Sequence, residues 1–576
     1  MRLDSRAAMA CREILHKKYA PNRFPEPPPV AISAMAQALS NLGFAHEARA
    51  VEYILKNVPS AVVIEQDLPT DLREQRTFEA LTNSNATLVV APVFGPTTER
   101  LIADFQGTIS IESPRNSRPD VLVRVTRDPA PLGTWAPVDI KSHTAFDAAN
   151  KSNEVFQAAI STGLLPEGSS VQGRFRKDDA MQLAHYAAHL EALGLLNAAT
   201  WAGIIGRNLE NITWARLSQT TFGTGRNAPT ALMEYADNFA EALRIAQLAA
   251  VRNTDVSIPP PAMPLYDLNV CPTCKYFGLC MPEMIDYRGT GNVTLLATVT
   301  PERAQNDLPA GISIGELAMT TESLSDFGLA AQQRARVYLD GKPQLKVGIT
   351  ELDLPTFDIE IDIDLENFNG AIQEFDPDAS LGPDRLYLYG YITHDRTSHA
   401  NWDASPRGSF EDYSGKREGE HSIYLSMWNY LHEQIAAAKA AGHSIGIFHY
   451  SQHEVTWWGK WPSNFQDLPG TPTLGEVQAF VSQYLVDMYP IAKRVVFPSS
   501  KKLPICDYSI KTLAPLADFE WSVQDAGGAM SLLKYEEATS SDLSKSTKAQ
   551  GWLRDYNIDD VRATMAVRNW IRKLDL

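Results

Sequence analysis

The sequence predicts an α/β protein built from more than one domain. Three observations carry that expectation. The chain has 576 residues with 44% apolar composition, enough for at least two cores. Runs such as VLVRV (121–125) and FDIEIDIDLEN (357–367) alternate with a strand period. Between such runs lie amphipathic segments with a helical period. The expected division is a domain over 1–290, a small helical connector over 291–350 and a second α/β domain over 351–576.

Residues 1–57 read as helical from their Ala- and Leu-rich periodicity. Strands follow over about 89–141, where DPAPLGT (128–134) supplies turn chemistry between VLVRV and WAPVDI. Residues 178–195 and 229–251 form amphipathic helices. SIPPPAMPL (257–265) is an extended, Pro-rich lead into three cysteines. The connector holds GISIGELA (311–318) and LAAQQRARVYL (329–339) as helices. After FDIEIDIDLEN, strand RLYLYGYIT, helix SIYLSMWNYLHEQIAAAKAAG, strand SIGIFHY and a helical C-terminus give α/β alternation. There is no internal repeat.

A net charge of −17 argues against a simple nucleic-acid binder. It does not exclude a nuclease, whose carboxylates hold cations that invert the local sign. The basic stretches at Arg115, Arg118 and Arg124, at Arg174, Arg176 and Lys177, at Lys493 and Arg494, and at Lys501 and Lys502 read as solvated surface when taken singly. The N-terminus lacks the apolar run of a signal peptide, and the most apolar stretch, Leu193–Gly206, is too short and interrupted to span a bilayer. A soluble cytoplasmic protein with no membrane partner is expected. The chain has five cysteines, which in so long a sequence fit metal-binding thiols rather than a disulfide scaffold. GSFEDYSGKR (408–417) has the wrong glycine spacing for a phosphate loop, and Arg417 replaces the hydroxyl that would hold magnesium. No helicase motor is expected.

Two groups of residues carry chemistry. In the first half, Asp139 and Lys141 flank Ile140 at a strand end, and the period of two puts them on one face. Asp120 sits at the preceding strand, so a hairpin brings two carboxylates together as oxygen ligands for a divalent cation. Such a cation polarises a phosphate and lowers the pKa of a bound water, and Lys141 can offset developing charge. Gln182 and Tyr186 are four apart in QLAHY and share a helix face. His46 lies in an early helix. Each of these residues taken alone has a bland core or surface role; their order along the chain is the signal.

This order resembles the RecB-type branch of the PD-(D/E)xK nucleases over roughly residues 1–285. With Cys11, Cys271, Cys274 and Cys280 it resembles the iron–sulfur members of that branch, AddB and the CRISPR-associated adaptation nucleases. The resemblance implies a restriction-endonuclease-like core. It implies Mg²⁺ or Mn²⁺ held by His46, Asp120, Asp139 and the Ile140 carbonyl, with Lys141 as the catalytic lysine. Gln182 and Tyr186 would support the site and the DNA strand. The four cysteines would ligate a [4Fe–4S] cluster, a staple closing a loop of about 260 residues. Tetrahedral zinc is the other metal four thiolates suit. Cys506, in LPICDYS, has no partner pattern and reads as an apolar core residue.

In the second half, Asp364 and Glu366 face one way on a strand, while Tyr556 and Asp560 share a helix face. DxE early and YxxxD late is the skeleton of DEDD exonucleases. Over about 355–576, DIDLEN, YLYGYIT, FHYSQHE, YSIKTLAPL and YNIDDVRAT resemble the RNase H-like domain of the YprB type. The resemblance implies carboxylates holding two cations, with the tyrosine placing the water. One departure is Glu454, near His449, where that family has a middle Asp. Glu360 and Asp362 also compete with Asp364 and Glu366 for the metal-facing positions. A fold that only binds nucleic acid is the alternative for this half.

The expected function is a metal-dependent DNA exonuclease acting on single-stranded ends in repair, recombination or phage replication. RNA remains open as a substrate, and a separate helicase or recombination protein as a partner. The alternatives are a non-catalytic nucleic-acid-binding subunit of a helicase–nuclease complex and an iron–sulfur redox or DNA-damage sensor.

Overall fold

A computed structural model of the chain describes residues 1–27, 34–108, 112–126, 132–148, 153–166, 170–223, 228–268, 270–346, 352, 354–368, 385–398, 405–499, 507–523 and 528–574. The protein is a mixed α/β chain with two compact units, Met1–Val30 with Gln37–Pro264 and Ala31–Ala36 with Leu265–Leu576. The cysteine segment and the helices expected as a connector group with the second unit.

The first unit runs α1 (Arg12–Tyr19), α2 (Ala34–Asn57), β1 (Ala61–Val63), α3 (Thr70–Thr82), β2 (Leu88–Val90), α4 (Pro96–Gln106), β3 (Val121–Thr126), β4 (Thr134–Ile140), β5 (Glu154–Ala159), β6 (Val171–Gln172), α5 (Lys177–Ala192), β7 (Trp201–Ile205), β8 (Asn211–Arg216) and α6 (Ala231–Arg252). The expected helical stretch 1–57 is thus two helices. The first ends at Tyr19 with Ala20 as its cap, and Pro21 comes next; a proline neither continues a helix nor lets the residue before it stay helical. The eight strands form one sheet in the order β1-β2-β3-β4-β7-β8-β5-β6. β2, β3 and β4 form an antiparallel meander, and β7 lies parallel to β4 after the α5 crossover. Alternation along the strands decides which residues face which helix. Val121, Val123, Ala136, Val138 and Ile140 pack with Ala50 and Ile54 of α2. On β4 the odd positions, Trp135 and Asp139 among them, take the opposite face.

The second unit runs α7 (Phe277–Ile285), α8 (Pro301–Asn306), α9 (Ile314–Met319), α10 (Asp326–Asp340), β9 (Gln344–Leu345), β10 (Ile359–Phe368), β11 (Arg385–Asp395), β12 (Arg407–Glu411), α11 (Arg417–Ala441), β13 (Ile445–His449), α12 (His453–Phe465), α13 (Leu474–Tyr484), β14 (Leu485–Asp487), α14 (Met488–Val495), β15 (Val496–Phe497), α15 (Ile510–Leu516), α16 (Gly528–Ala538) and α17 (Leu543–Lys573). Its main sheet has the order β12-β11-β10-β13-β14. β10 is central, antiparallel to β11 and parallel to β13. Ile361, Ile363 and Leu365 of β10 pack into a core with Ile423, Met427 and Leu431 of α11 and three tryptophans of α12. The alternate positions Glu360, Asp362, Asp364 and Glu366 therefore share the other face, and α17 covers it.

Helix and strand are matched along that face. Arg572 of α17 bonds Glu360 at 2.7 and 3.0 Å. Arg568 reaches Glu360 at 3.2 Å and also pairs with Asp362. Asn557 donates to Asp364 at 2.7 Å. From residue 557 to 572 a helix rises roughly 22 Å, and four residues of strand from 364 back to 360 advance roughly 13 Å; long arginine side chains cover the difference. The packing also needs Gly390, which pairs with Asp364 across the β10–β11 register. A Cβ there would lie 3.0 Å from the Asn557 Cγ and closer still to its Oδ1.

Arg568 is fully buried, so its removal leaves Asp362, already lifted to about 6 by burial, without its ion-pair partner in the interior. Arg568→Met should destabilise the second unit by about 3–5 kcal/mol, measured by urea unfolding. Adding Asp362→Asn to that variant should recover much of the stability.

Candidate metal centres

The first unit brings the predicted residues together at the ends of β3 and β4. Val121 pairs with Val138, so one step further the register sets Asp120 beside Asp139. The Ile140 N–H donates to Asp120 Oδ2 at 2.7 Å. Burial and the neighbouring Asp139 push the Asp120 carboxyl well above the usual carboxylate range. Burial also raises Asp139, against the opposing pull of Lys141. Lys141 Nζ lies 3.1 Å from Asp139 Oδ2 and 3.7 Å from Asp179 Oδ1. Burial works against that ammonium, but Asp139 and Asp179 outweigh it and raise its pKa.

α5 supplies the facing groups. Lys141 Nζ donates to Gln182 Oε1 at 2.9 Å, and Gln182 Nε2 donates to the Tyr186 hydroxyl at 2.7 Å. His46 of α2 is buried beside the backbone of Lys141 and Gly206; burial and Arg49 lower its pKa. His46, Asp120, Asp139, Ile140, Lys141, Gln182 and Tyr186 thus occupy one neighbourhood. Asp179 and His143 join it, with His143 Nε2 at 3.3 Å from Asp179 Oδ2. Sequence reasoning missed both, although Asp179 stands three residues before Gln182 and so shares its helix face.

α5 also holds the strap that delivers Asp120. His185 contacts the Asn116 carbonyl at 2.9 Å and the Tyr235 hydroxyl at 2.9 Å. His189, one turn on, bonds Ser117 Oγ at 2.8 Å and Glu99 at 2.9 Å. Glu99 in turn takes a bidentate pair from Arg2 at 2.6 and 2.7 Å. Both imidazoles are fully buried, and burial lowers their pKa, His185 to about 4. They act as neutral hydrogen-bonding groups at neutral pH.

The second unit gathers Asp364, Glu366 and Asp560, each offering one ligand atom within 4.8 Å of the others. Burial and the neighbouring acids raise Asp364 well above its ordinary value. Burial and Asp560 lift Glu366 to about 8. Lys511 Nζ lies 2.7 Å from Asp560 Oδ1, and Trp521 Nε1 donates to the same oxygen. Burial and the same acids raise the Tyr556 phenol, whose ring stacks on Trp552 at 5.2 Å. Asp559 turns elsewhere and accepts from the backbone N–H and hydroxyl of Ser522. Glu454 is buried in the first turn of α12, with Oε2 3.2 Å from His449 Nδ1. It adds to the negative field at Asp364 but stands outside the close trio. Glu360 and Asp362 are taken up by Arg568 and Arg572, which leaves Asp364 and Glu366 as the strand's acids gathered with Asp560. Lys511 and Asn557 lie within YSIKTLAPL and YNIDDVRAT, but sequence reasoning gave neither a role.

Three of the cysteines lie in the second unit and Cys11 in the first. Cys271 begins a short 3₁₀ turn, Cys274 ends it and Cys280 sits in α7. The Asp267 N–H points at Cys271 Sγ at 3.3 Å, an arrangement that suits a metal-bound thiolate. Cys506 lies outside the described residues. Among the described residues no helix is long and apolar enough to cross a membrane. Comparison with protein-family models, curated proteins and solved structures finds no match.

The raised carboxyls make stability fall with pH. Glu366 ionises near 4.5 when unfolded and near 8 when folded, so across that window the native state binds more protons than the unfolded one. Its contribution is complete below 4.5 and disappears as pH rises through 8. In EDTA the melting temperature of the second unit should fall from about pH 5 to about pH 8. Mn²⁺ should flatten that fall, and Glu366→Gln should remove much of it, as read by melting curves at several pH values.

Proposed function

We propose that this chain is a metal-dependent nuclease with a phosphodiester-cleaving centre in each unit. The observation that carries the reading is the trio Asp364, Glu366 and Asp560, drawn from positions almost two hundred residues apart and offset by one lysine. Three carboxylates, one buried and two partly exposed, against one ammonium leave a negative excess, and a divalent cation is the partner that suits oxygen ligands so arranged. The neighbourhood of Asp120, Asp139 and Lys141 supports the same reading for the first unit.

In family terms, the first unit is read as a RecB-type PD-(D/E)xK core and the second as an RNase H-like DEDD unit. The meander and crossover around β4 support the former. The acids on the central strand of a mixed five-stranded sheet support the latter.

Asp364, Glu366 and Asp560 would hold Mg²⁺ or Mn²⁺ in the second unit; Asp120, Asp139, His46 and the Ile140 carbonyl would hold it in the first. A bound cation supplies Lewis acidity toward a phosphate and a water of lowered pKa. Lys141, kept charged and aimed by Gln182 and Asp139, places positive charge where the phosphate gains negative charge. Tyr556, stacked on Trp552 and kept protonated, can donate a hydrogen bond to a water or a phosphate oxygen. The substrate is read as DNA, with single-stranded ends preferred, in the cytoplasm. By the resemblance to the iron–sulfur nucleases, Cys11, Cys271, Cys274 and Cys280 are read as ligands of a [4Fe–4S] staple.

Glu454 favours a second reading for the C-terminal unit. Its bond to His449 in place of a position in the trio fits a unit that grips nucleic acid without cutting it.

The test compares the full chain, Asp139→Ala, and Asp364→Ala with Glu366→Ala on single strands labelled at either end, with Mg²⁺ and with Mn²⁺. Each variant should reduce one cleavage activity by more than about 100-fold while still binding the strand. A double-acid variant that cuts like the parent would leave the second unit as a binding platform, and no cation-dependent cutting by the parent would reject the nuclease reading. Cys274→Ala should lose iron and melt at a lower temperature. Full iron content with unchanged melting would reject the staple.

A further inference from the structure

The second unit also holds a cluster of cations, although the chain as a whole is acidic. Arg334 of α10 and Lys346 after β9 both lie over the ring of Phe497, and Lys493 of α14, whose ammonium lies over Tyr489, is an electrostatic neighbour of Lys346. The Arg334 guanidinium is 5.7 Å from the Phe497 centroid. Lys346 Nζ is 5.1 Å from Phe497 and 5.7 Å from Tyr508. The short strands β9 and β15 pair antiparallel, Leu345 with Val496 and Gln344 with Phe497, and Lys346 N–H donates to the Val495 carbonyl at 2.8 Å. Lys346 Nζ also donates to the Lys493 carbonyl. Backbone pairing therefore places Lys346.

No acid offsets them among the described residues. The Arg334 Nε and Nη1 atoms are buried and have no acceptor. Glu351 and Asp353, which follow Lys346 in sequence, lie outside the described residues; of the described acids nearby in sequence, Asp340 accepts from Gln344 at 2.8 Å, Asp487 from the Ser451 and Tyr489 N–H groups, and Asp507 from the Ser509 N–H and hydroxyl. Packing of alkyl stems on rings accounts for exposed ammonium groups. It does not account for guanidinium nitrogens buried without an acceptor, which cost free energy until something accepts from them. In a chain with 69 acidic and 52 basic side chains, a like-charged group of this kind is contrary to composition.

We propose that Arg334, Lys346 and Lys493 form a binding site for a phosphate oxyanion, of the kind a nucleic-acid backbone carries. A planar guanidinium offers two parallel donors to such a group, and the two lysines add charge. Burial, with Arg334 and Lys493 nearby, lowers Lys346 to about 8, which an anion would reverse. Assigning the oxyanion to a nucleic-acid strand rests on the nuclease reading; the oxyanion site itself does not.

The experiment uses the full chain, Arg334→Met, and Arg334→Met with Lys346→Met. Melting is followed in inorganic phosphate and in chloride of equal ionic strength. Binding of a fluorescent single-stranded oligonucleotide is followed over a range of salt. Phosphate should raise the melting temperature of the parent and not of the double variant. Without phosphate, Arg334→Met should melt no lower than the parent, since it removes an unmatched charge; a clear drop would mark the arginine as a structural group and overturn the proposal. The double variant should bind the strand about tenfold more weakly, with a salt slope shallower by about 0.7 for each phosphate that the site no longer neutralises. A phosphate response that the variants share equally with the parent would also overturn it. A phosphate response confined to the parent, with unchanged strand binding, would keep the oxyanion site and reject the strand as its source. Asp364→Ala with Glu366→Ala should abolish cleavage by the second unit yet keep the phosphate response, which separates failure of this site from failure of the nuclease reading.

Discussion

Buried carboxylates without enough cations to match them are the constraint around which both units are built. β10 contains its own control. Four acids alternate along one face of that strand. Glu360 and Asp362 meet two arginines of α17. Asp364 and Glu366 meet instead a third acid, Asp560, and the single ammonium of Lys511. One strand and one helix thus make a closed ion-pair network at one end and a site with excess negative charge at the other. A buried carboxylate left unmatched is strongly disfavoured. The upward shifts of Asp364 and Glu366 reflect that cost; burial lifts Asp362 too, to about 6, but there Arg568 pulls the other way. Asp120 and Asp139 repeat the situation in the first unit, with Lys141 as their ammonium.

In each unit one helix performs two tasks. α5 presents Gln182 and Tyr186 toward Lys141 and, from its next face, His185 and His189 toward the strap before Asp120. α17 presents Asp560 and Asn557 toward the open acids and its arginines toward the closed ones. Rigid secondary structure therefore sets the geometry of both centres, as precise polar chemistry requires. Local backbone choices serve the same end: Gly390 leaves the room that Asn557 occupies beside Asp364.

Much of this was legible in the sequence where the signal was local. The alternation in DIEIDIDLE predicts β10 and puts its four acids on one face. The i, i+2 spacing of Asp139 and Lys141, and the i, i+4 spacings in QLAHY and YNIDD, place the right groups side by side. What was not legible depends on registers set by tertiary packing. Nothing local to Glu360 or Asp362 says that arginines two hundred residues later will take them up. Lys511 belongs to α15 and meets Asp560 only because α15 packs on α17. The same limit explains why Asp559 and Asp560 look alike as letters, while one ties down Ser522 and the other faces the acids. The short strands β1, β6, β9, β14 and β15 carry too few residues for a period to show.

Anomalous diffraction from crystals grown with Mn²⁺ tests the charge-deficit account most directly. It predicts a manganese peak among Asp364, Glu366 and Asp560 and another between Asp120 and Asp139, with none beside Glu360 and Asp362. Peaks at neither acid group, with the carboxylates still gathered and protonated or turned toward other partners, would contradict it.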